Sequence, residues 1–254
     1  MIDPRTAVIE KRLSGIKKIL VFTSGKGGVG KSLCSAVSAL ILAKRGFRTG
    51  LLDLDLQGAS AHIILDADLS FPEEAHGILP LKAPFGLNFM SIASFTGDEP
   101  VPLRGSDVSN AIIELLTVTI WGELDFLIVD MPPGIGDEAL DLVRFMRRSE
   151  SIIISSPSLV AAGVVKRLLS IIYELNMPIL GVVENMSRNW NEGSLMTSVS
   201  GNPVKKMCKE SAVPLLGSIP FFPALESELG FPARLIAGDF GKSLAGILSP
   251  LLRR

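Results

Sequence analysis

The chain is poor in the residues that build disulfide scaffolds, metal fingers and membrane anchors. Its 254 residues hold two cysteines, Cys34 and Cys208, far apart and in segments that read as helical. They supply neither a disulfide framework nor a metal-spaced pair within either helix, and such usage fits a reducing cytoplasm. The two histidines, His62 and His76, lack partners at metal spacing and read as surface or switch-loop positions. No apolar run approaches the roughly 18 to 20 residues that cross a bilayer. The first residues mix Asp3, Arg5, Glu10, Lys11 and Arg12 with apolar side chains, unlike the apolar stretch of a signal peptide. A formal net charge of −1, from 25 basic and 26 acidic residues, offers no bulk attraction to a polyanion, so nucleic acid is not the expected partner.

What is present is apolar and periodic. A hydrophobic content of 47% is ample for a sizeable core, and the length fits one domain spanning residues 1–254. Short β-branched or leucine-rich runs predict strands at Lys18–Thr23, Arg48–Asp53, Asn88–Ile92, Phe126–Asp130, Ser151–Ser155, Ile179–Glu184 and Leu215–Ile219. Helix-period segments fall between and after them, at Gly30–Lys44, Ser106–Thr119, Glu138–Met146, Ser158–Leu175, Pro203–Ser211 and Arg234–Leu248. This alternation predicts a three-layer α/β fold with a mainly parallel central sheet and helices on both faces. Leu69–Leu87 and Asn185–Asn202 break the alternation and read as loops at the functional edge.

The run Gly25-Lys26-Gly27-Gly28-Val29-Gly30-Lys31-Ser32 meets the phosphate-loop pattern, after the apolar run Ile19–Phe22 and before a helix. Glycines let several backbone N–H groups converge on phosphate oxygens, and the helix adds its positive N-terminal end. The expected nucleotide-binding set here is Gly25, Gly27, Gly28, Val29, Gly30, Lys31, Ser32 and Leu33, with Lys31 bridging the terminal phosphates and Ser32 binding Mg²⁺. Lys26 is an additional cation inside the loop. It reads either as a solvated lysine or as a group that neutralises transition-state charge on phosphate, as an arginine finger does, including from across a dimer.

Phosphoryl transfer also needs a carboxylate near Mg²⁺ and a group to position water. Phe126-Leu127-Ile128-Val129-Asp130 places Asp130 at the carboxyl edge of the sheet, where open α/β folds bind ligands. Leu51-Leu52-Asp53-Leu54-Asp55 places further carboxylates at a strand end, with Asp55 as the candidate for positioning water and, with Ser32 and Asp130, for the metal. An isolated aspartate at such a place is usually a cap or turn residue. Three elements in the right chain order favour catalysis.

The segments GKGGVGKS, LLDLDLQGAS, RGSDVSNAIIELL, WGELDFLIVDMPPGIGD, GVVENMS and VPLLGSIPFFP together resemble the Mrp/ApbC branch of the MinD/ParA-like ATPases, from about Lys17 to Pro232. The resemblance implies an ATPase that converts ATP and water to ADP and phosphate, acts as a face-to-face homodimer, and belongs to a branch in which many members carry iron-sulfur clusters. It implies that Lys26 reaches the partner subunit's nucleotide, and that Lys31, Ser32, Asp55 and Asp130 serve phosphate, Mg²⁺ and hydrolysis. It also assigns adenine to Asn185 and the loop closing over the base to Ile219–Pro223, including Pro220.

Departures from the pattern bear on the cargo. Cluster-carrying members have a C-x-x-C pair shortly after the ENMS run, whereas Ser187-Arg188-Asn189-Trp190-Asn191-Glu192-Gly193-Ser194 contains no cysteine. The usual thiolate ligands are therefore missing. Cys208 and Cys34 read as small apolar helix residues. Leu33, Ile135 and Phe222 replace a threonine, a threonine and an acidic residue of the family pattern. Trp190 reads as a partner contact or as packing over its loop. The leucine-rich tail reads as a docked helix rather than a membrane anchor, since basic residues are few and Pro250 interrupts it. The expected function is a Mg-ATP-dependent homodimeric switch serving iron-sulfur assembly or another client metalloprotein. The alternative is a positioning or partner-binding ATPase that carries no cluster.

Overall fold

The computed structural model describes residues 4–55, 58–96, 106–134, 145–187 and 202–253. Eight strands form one sheet: β1 (Ile16–Ser24), β2 (Thr49–Asp53), β3 (Leu81–Ala83), β4 (Leu87–Ser91), β5 (Leu124–Asp130), β6 (Ser149–Ser155), β7 (Ile179–Ser187) and β8 (Leu215–Pro220). Their order is β3-β4-β2-β5-β1-β6-β7-β8, and every pairing is parallel except β3 with β4. This is the mainly parallel sheet that the strand–helix alternation predicts.

Strand β1 shows why the chain folds this way. Successive side chains point to opposite faces, so Ile19 and Val21 enter one apolar core while Leu20 and Phe22 enter the other. Strand β5 divides Leu127 and Val129 from Phe126 and Ile128 in the same manner. The first core is closed by α1 (Arg5–Leu13), α5 (Ser106–Val118), α6 (Leu159–Glu174) and α7 (Pro203–Glu210); the short helices α3 (Ala61–Leu65) and α4 (Ala93–Thr96) precede α5 in the chain. The second is closed by α2 (Lys31–Lys44), with α8 (Pro232–Ala237) and α9 (Asp239–Leu248) packed over it. Helix α2 is buried continuously from Cys34 to Ala43, as expected of a helix that is apolar on all sides. Phe240, Leu244 and Leu248 dock the C-terminal helix in this layer.

Two readings of the sequence need correction, and one helix was not expected. The segment Leu69–Leu87 contains the antiparallel edge strand β3, and its tip at His76–Gly77 lies against Arg12 and the Val118–Ile120 backbone, at the amino edge of the sheet. The single helix expected over Arg234–Leu248 is two helices, because Gly238 is extended (φ −69°, ψ 174°) between them. The charged N-terminal segment forms α1, whose Ile9 and Leu13 lie one turn apart and are buried. The helix expected at Glu138–Met146 falls almost wholly outside the described residues, as do Ile135 and Trp190. Among the described residues no helix is long and apolar enough to cross a membrane.

Candidate functional site

The parallel strands β1, β2 and β5 end side by side, and their carboxyl ends carry the site. After Ser24 the chain turns back through Gly28 (φ +75°) and Gly30 (φ +81°) into α2. Both angles are left-handed and strain a residue with a Cβ. The loop therefore needs glycine there. Gly30 leads into the 14-residue helix α2, whose N-terminal N–H groups and dipole favour an anion.

Beneath the loop, the Lys31 ammonium donates to Asp130 Oδ1 at 2.6 Å and to Ser32 Oγ at 3.2 Å. Asp130 is fully buried at the end of β5, and its Oδ2 has no hydrogen-bond partner among the described residues. Burial pushes its carboxyl pKa up, while Lys31 acts in the opposite direction. Lys31 is the cation that compensates this buried carboxylate. The pair is both a structural element and a cation in waiting.

Asp53 stands opposite Asp130 in the β2–β5 register. It is fully buried, accepts from the Asp55 N–H at 3.1 Å, and has Ser91 Oγ at 3.5 Å from Oδ2. Burial, and next the negative charge of Asp130, push its pKa up to about 7. Asp53 is the residue that sequence reasoning passed over. The signal was present in the Asp53-Leu54-Asp55 spacing, but only the second carboxylate was given a role. Asp55 follows, with Oδ1 accepting from the Gly58 N–H at 3.1 Å.

A cleft of about 710 Å³ opens over these groups, walled by Lys26 to Leu33, by Asp55, and on the far side by Met186 and Phe221–Pro223. Lys26 is exposed at its rim, and its carbonyl accepts from Ser24 Oγ at 3.0 Å. Three expected binding residues lie outside the wall. Gly25 packs on α6, where a Cβ would come within 2.7 Å of Val164 Cγ1. Asn185 is buried behind the loop and donates through Nδ2 to the Val29 carbonyl at 2.9 Å, which leaves Met186 facing the cleft. Pro220 ends β8 just before the wall-forming Phe221.

The donors facing the cleft are oxygens, the Ser32 hydroxyl and the Asp55 carboxyl, and the buried Asp130 carboxyl, one atom of which is unpartnered among the described residues, lies behind them on Lys31. Such a set suits a hard divalent cation such as Mg²⁺. A thiolate centre is not formed by the described residues. Cys34 is buried in α2 with its pKa pushed up by burial, and Cys208 is buried in α7 with its pKa pushed up to about 11, by burial first and then by Glu184.

Glu184, also passed over in the sequence, is buried in β7 beside Asn185. Its Oε2 accepts from Ser218 Oγ at 2.7 Å and from Asn202 Nδ2 at 2.9 Å. Asn202 in turn caps α7 by accepting from the Lys205 N–H. This cluster joins β7, β8 and α7.

A family model described as the ParA group's NUBPL iron-transfer P-loop NTPase matches residues 15–243. An iron-sulfur cluster carrier protein of Saccharolobus solfataricus is 36% identical over 223 residues, which cover 85% of this chain and 75% of that one. Among solved structures, the nucleotide-binding protein of Archaeoglobus fulgidus in complex with ADP is similar with a TM-score of 0.76 at 26% identity, over 93% of this chain and 95% of that one. The cell division ATPase MinD of Pyrococcus furiosus shares the fold, with a TM-score of 0.66 at 20% identity over 93% and 99% of the two chains.

Proposed function

The chain belongs to the NUBPL-type iron-transfer P-loop NTPase family, and on that premise we propose that it is a Mg-ATP-dependent homodimeric switch that hydrolyses ATP slowly. The observation that carries this reading is the buried Lys31–Asp130 pair, 2.6 Å apart, beneath a left-handed glycine loop at a helix N-terminus. The cation is already placed, and a phosphate group has only to compete for it.

ATP enters with its phosphates on the loop N–H groups and its base between Met186 and the Phe221–Pro223 wall. Lys31 turns from Asp130 to the terminal phosphates, and Ser32, Asp55 and Asp130 would hold Mg²⁺. Bound there, Mg²⁺ neutralises charge on the phosphate oxygens. Asp55 accepts a hydrogen bond from the attacking water and aims it at the γ-phosphorus, so that the bond to the bridging oxygen breaks and ADP leaves. Lys26 sits at the exposed rim, from which it reaches the phosphates bound by a second copy of the chain. In this reading residues 1–254 act as a single domain in the cytoplasm, paired with a second copy.

Lys26→Ala is expected to retain most ATP affinity in calorimetry while losing phosphate release. Unchanged turnover would remove Lys26 from the mechanism. The family and the relative's name support an iron-sulfur cluster or a client metalloprotein as cargo. The missing C-x-x-C and the burial of both thiols favour a second reading, a partner-binding or positioning ATPase without cluster. Anaerobic reconstitution of wild type and Cys208→Ser, with iron and sulfide counted, separates the two. A wild type that stays iron-free leaves the second.

A further inference from the structure

A second cavity, of about 770 Å³, opens at the amino edge of the sheet between α1, the His76 turn and the connection from α5 to β5. The eight residue steps of β1 put roughly 25 Å between this edge and the phosphate loop. Its size is that of a small-molecule site.

The charged side chains around it are two cations and one acid. Arg12 is half-buried and gives Nε to the Thr117 carbonyl at 3.0 Å and Nη2 to the His76 carbonyl at 3.1 Å, which leaves three of its N–H bonds. No carboxylate pairs with it or with Lys11 among the described residues. The acid in the wall, Glu123, is already bound by Arg48 at 2.8 Å. Trp121 lines the cavity at 4% exposure, and its indole N–H is buried with no acceptor among the described residues. A Cβ on Gly50 would come within 2.8 Å of Trp121 Cζ3. The benzo edge therefore abuts the sheet, and the N–H lies at the opposite side of the ring.

A guanidinium with three spare N–H bonds, an ammonium without a carboxylate partner among the described residues, and a buried indole donor around one cavity call for acceptor atoms from outside. His76 adds a further polar side chain, held at φ +55° by the Arg12 contact to its carbonyl. The geometry points to a binding site for a small oxyanion-bearing molecule, its carboxylate or phosphate oxygens on Arg12 and Lys11 and its body over Trp121. The site is independent of the proposed nucleotide chemistry.

The chain has two tryptophans, so Trp190→Phe leaves Trp121 as the sole indole reporter. Citrate and inorganic phosphate, titrated separately into this full-length variant with and without saturating ADP, distinguish a carboxylate from a phosphate ligand. At least one is expected to change Trp121 emission saturably, with no effect of ADP. Lys11→Glu, on an exposed helix face, should weaken that binding by about tenfold or more, and Arg12→Gln should do the same. No saturable change with either anion overturns the proposal. So does a change that survives Lys11→Glu, or one that ADP abolishes, which places the anion in the phosphate loop.

Discussion

Asp130 and Glu184 occupy similar positions and are held in opposite ways. Each is a buried carboxylate near the carboxyl end of a parallel strand, and each has one oxygen without a partner among the described residues. Asp130 is neutralised by a lysine at 2.6 Å, whereas Glu184 is held by a hydroxyl and an amide. A cation can be drawn away by a competing anion, so the first arrangement is suited to exchange partners when phosphate arrives. Neutral donors on β8 and at the α7 cap have no such competitor. On the proposed function, the half of the sheet around β2, β5 and β1 responds to a ligand, and the half around β7 and β8 holds its elements together.

The sharpest way to break this contrast is to remove the cation. Lys31→Ala leaves Asp130 buried and uncompensated, which is expected to cost about 3–5 kcal/mol. Chemical denaturation without nucleotide measures it. Adding Asp130→Asn should recover most of the loss, because the charge that needed a partner has gone. If the double variant is no more stable than the single, the lysine acts by packing rather than by neutralising Asp130.

A smaller effect is expected from Asp53, whose raised pKa opposes its ionisation. Below about pH 4 the carboxyl is protonated in folded and unfolded chains alike. Between its ordinary value of 3.8 and its folded value of about 7, the unfolded chain has lost a proton that the native state keeps. Stability therefore falls as pH rises through this window, by up to about 1.4 kcal/mol per unit for one proton. Asp53→Asn should remove that slope. Its stability relative to wild type, measured in metal-free buffer, should increase from pH 4 to 7 and level off above. A difference independent of pH would mean that Asp53 is ionised throughout.

These carboxylates also mark the limit of what the sequence reveals. The strand pattern was legible because apolar residues alternate between two cores, and the loop because Gly28 and Gly30 need left-handed angles. The edge strand β3 was not legible, since three residues within a polar loop carry too little periodicity. Helix α1 was hidden because its buried face amounts to Ile9 and Leu13 among charges. Within the site, Lys31, Ser32, Asp55 and Asp130 stand in recognised motifs; the first three wall the cleft, and Asp130 is buried behind them on Lys31. Asn185 was expected at the base, and it is found tied to the Val29 carbonyl. Spacing shows which side chains reach a strand end but not whether they face the cleft or the layer behind it. Asp53 and Glu184 were overlooked for the same reason, because their importance lies in pairings across strands.

The smallest effect separates anchoring from ligand response. Glu184→Gln keeps the shape of the side chain and a carbonyl oxygen that can accept from both Ser218 and Asn202, but it removes the charge and puts an NH₂ donor where Oε1 has no partner among the described residues. Replacing the charged acceptor of these two hydrogen bonds by a neutral one is expected to cost about 1–2 kcal/mol. The loss should appear as faster amide exchange at the start of α7, where Lys205 N–H is capped by Asn202. Nucleotide affinity should change by less than about twofold, because Glu184 does not wall the cleft and its contacts lie on β8 and α7. A larger loss of affinity without the change in α7 exchange would couple this half of the sheet directly to the cleft. The contrast between a responsive carboxylate and an anchoring one would then fail, and Glu184 would belong with Asp130.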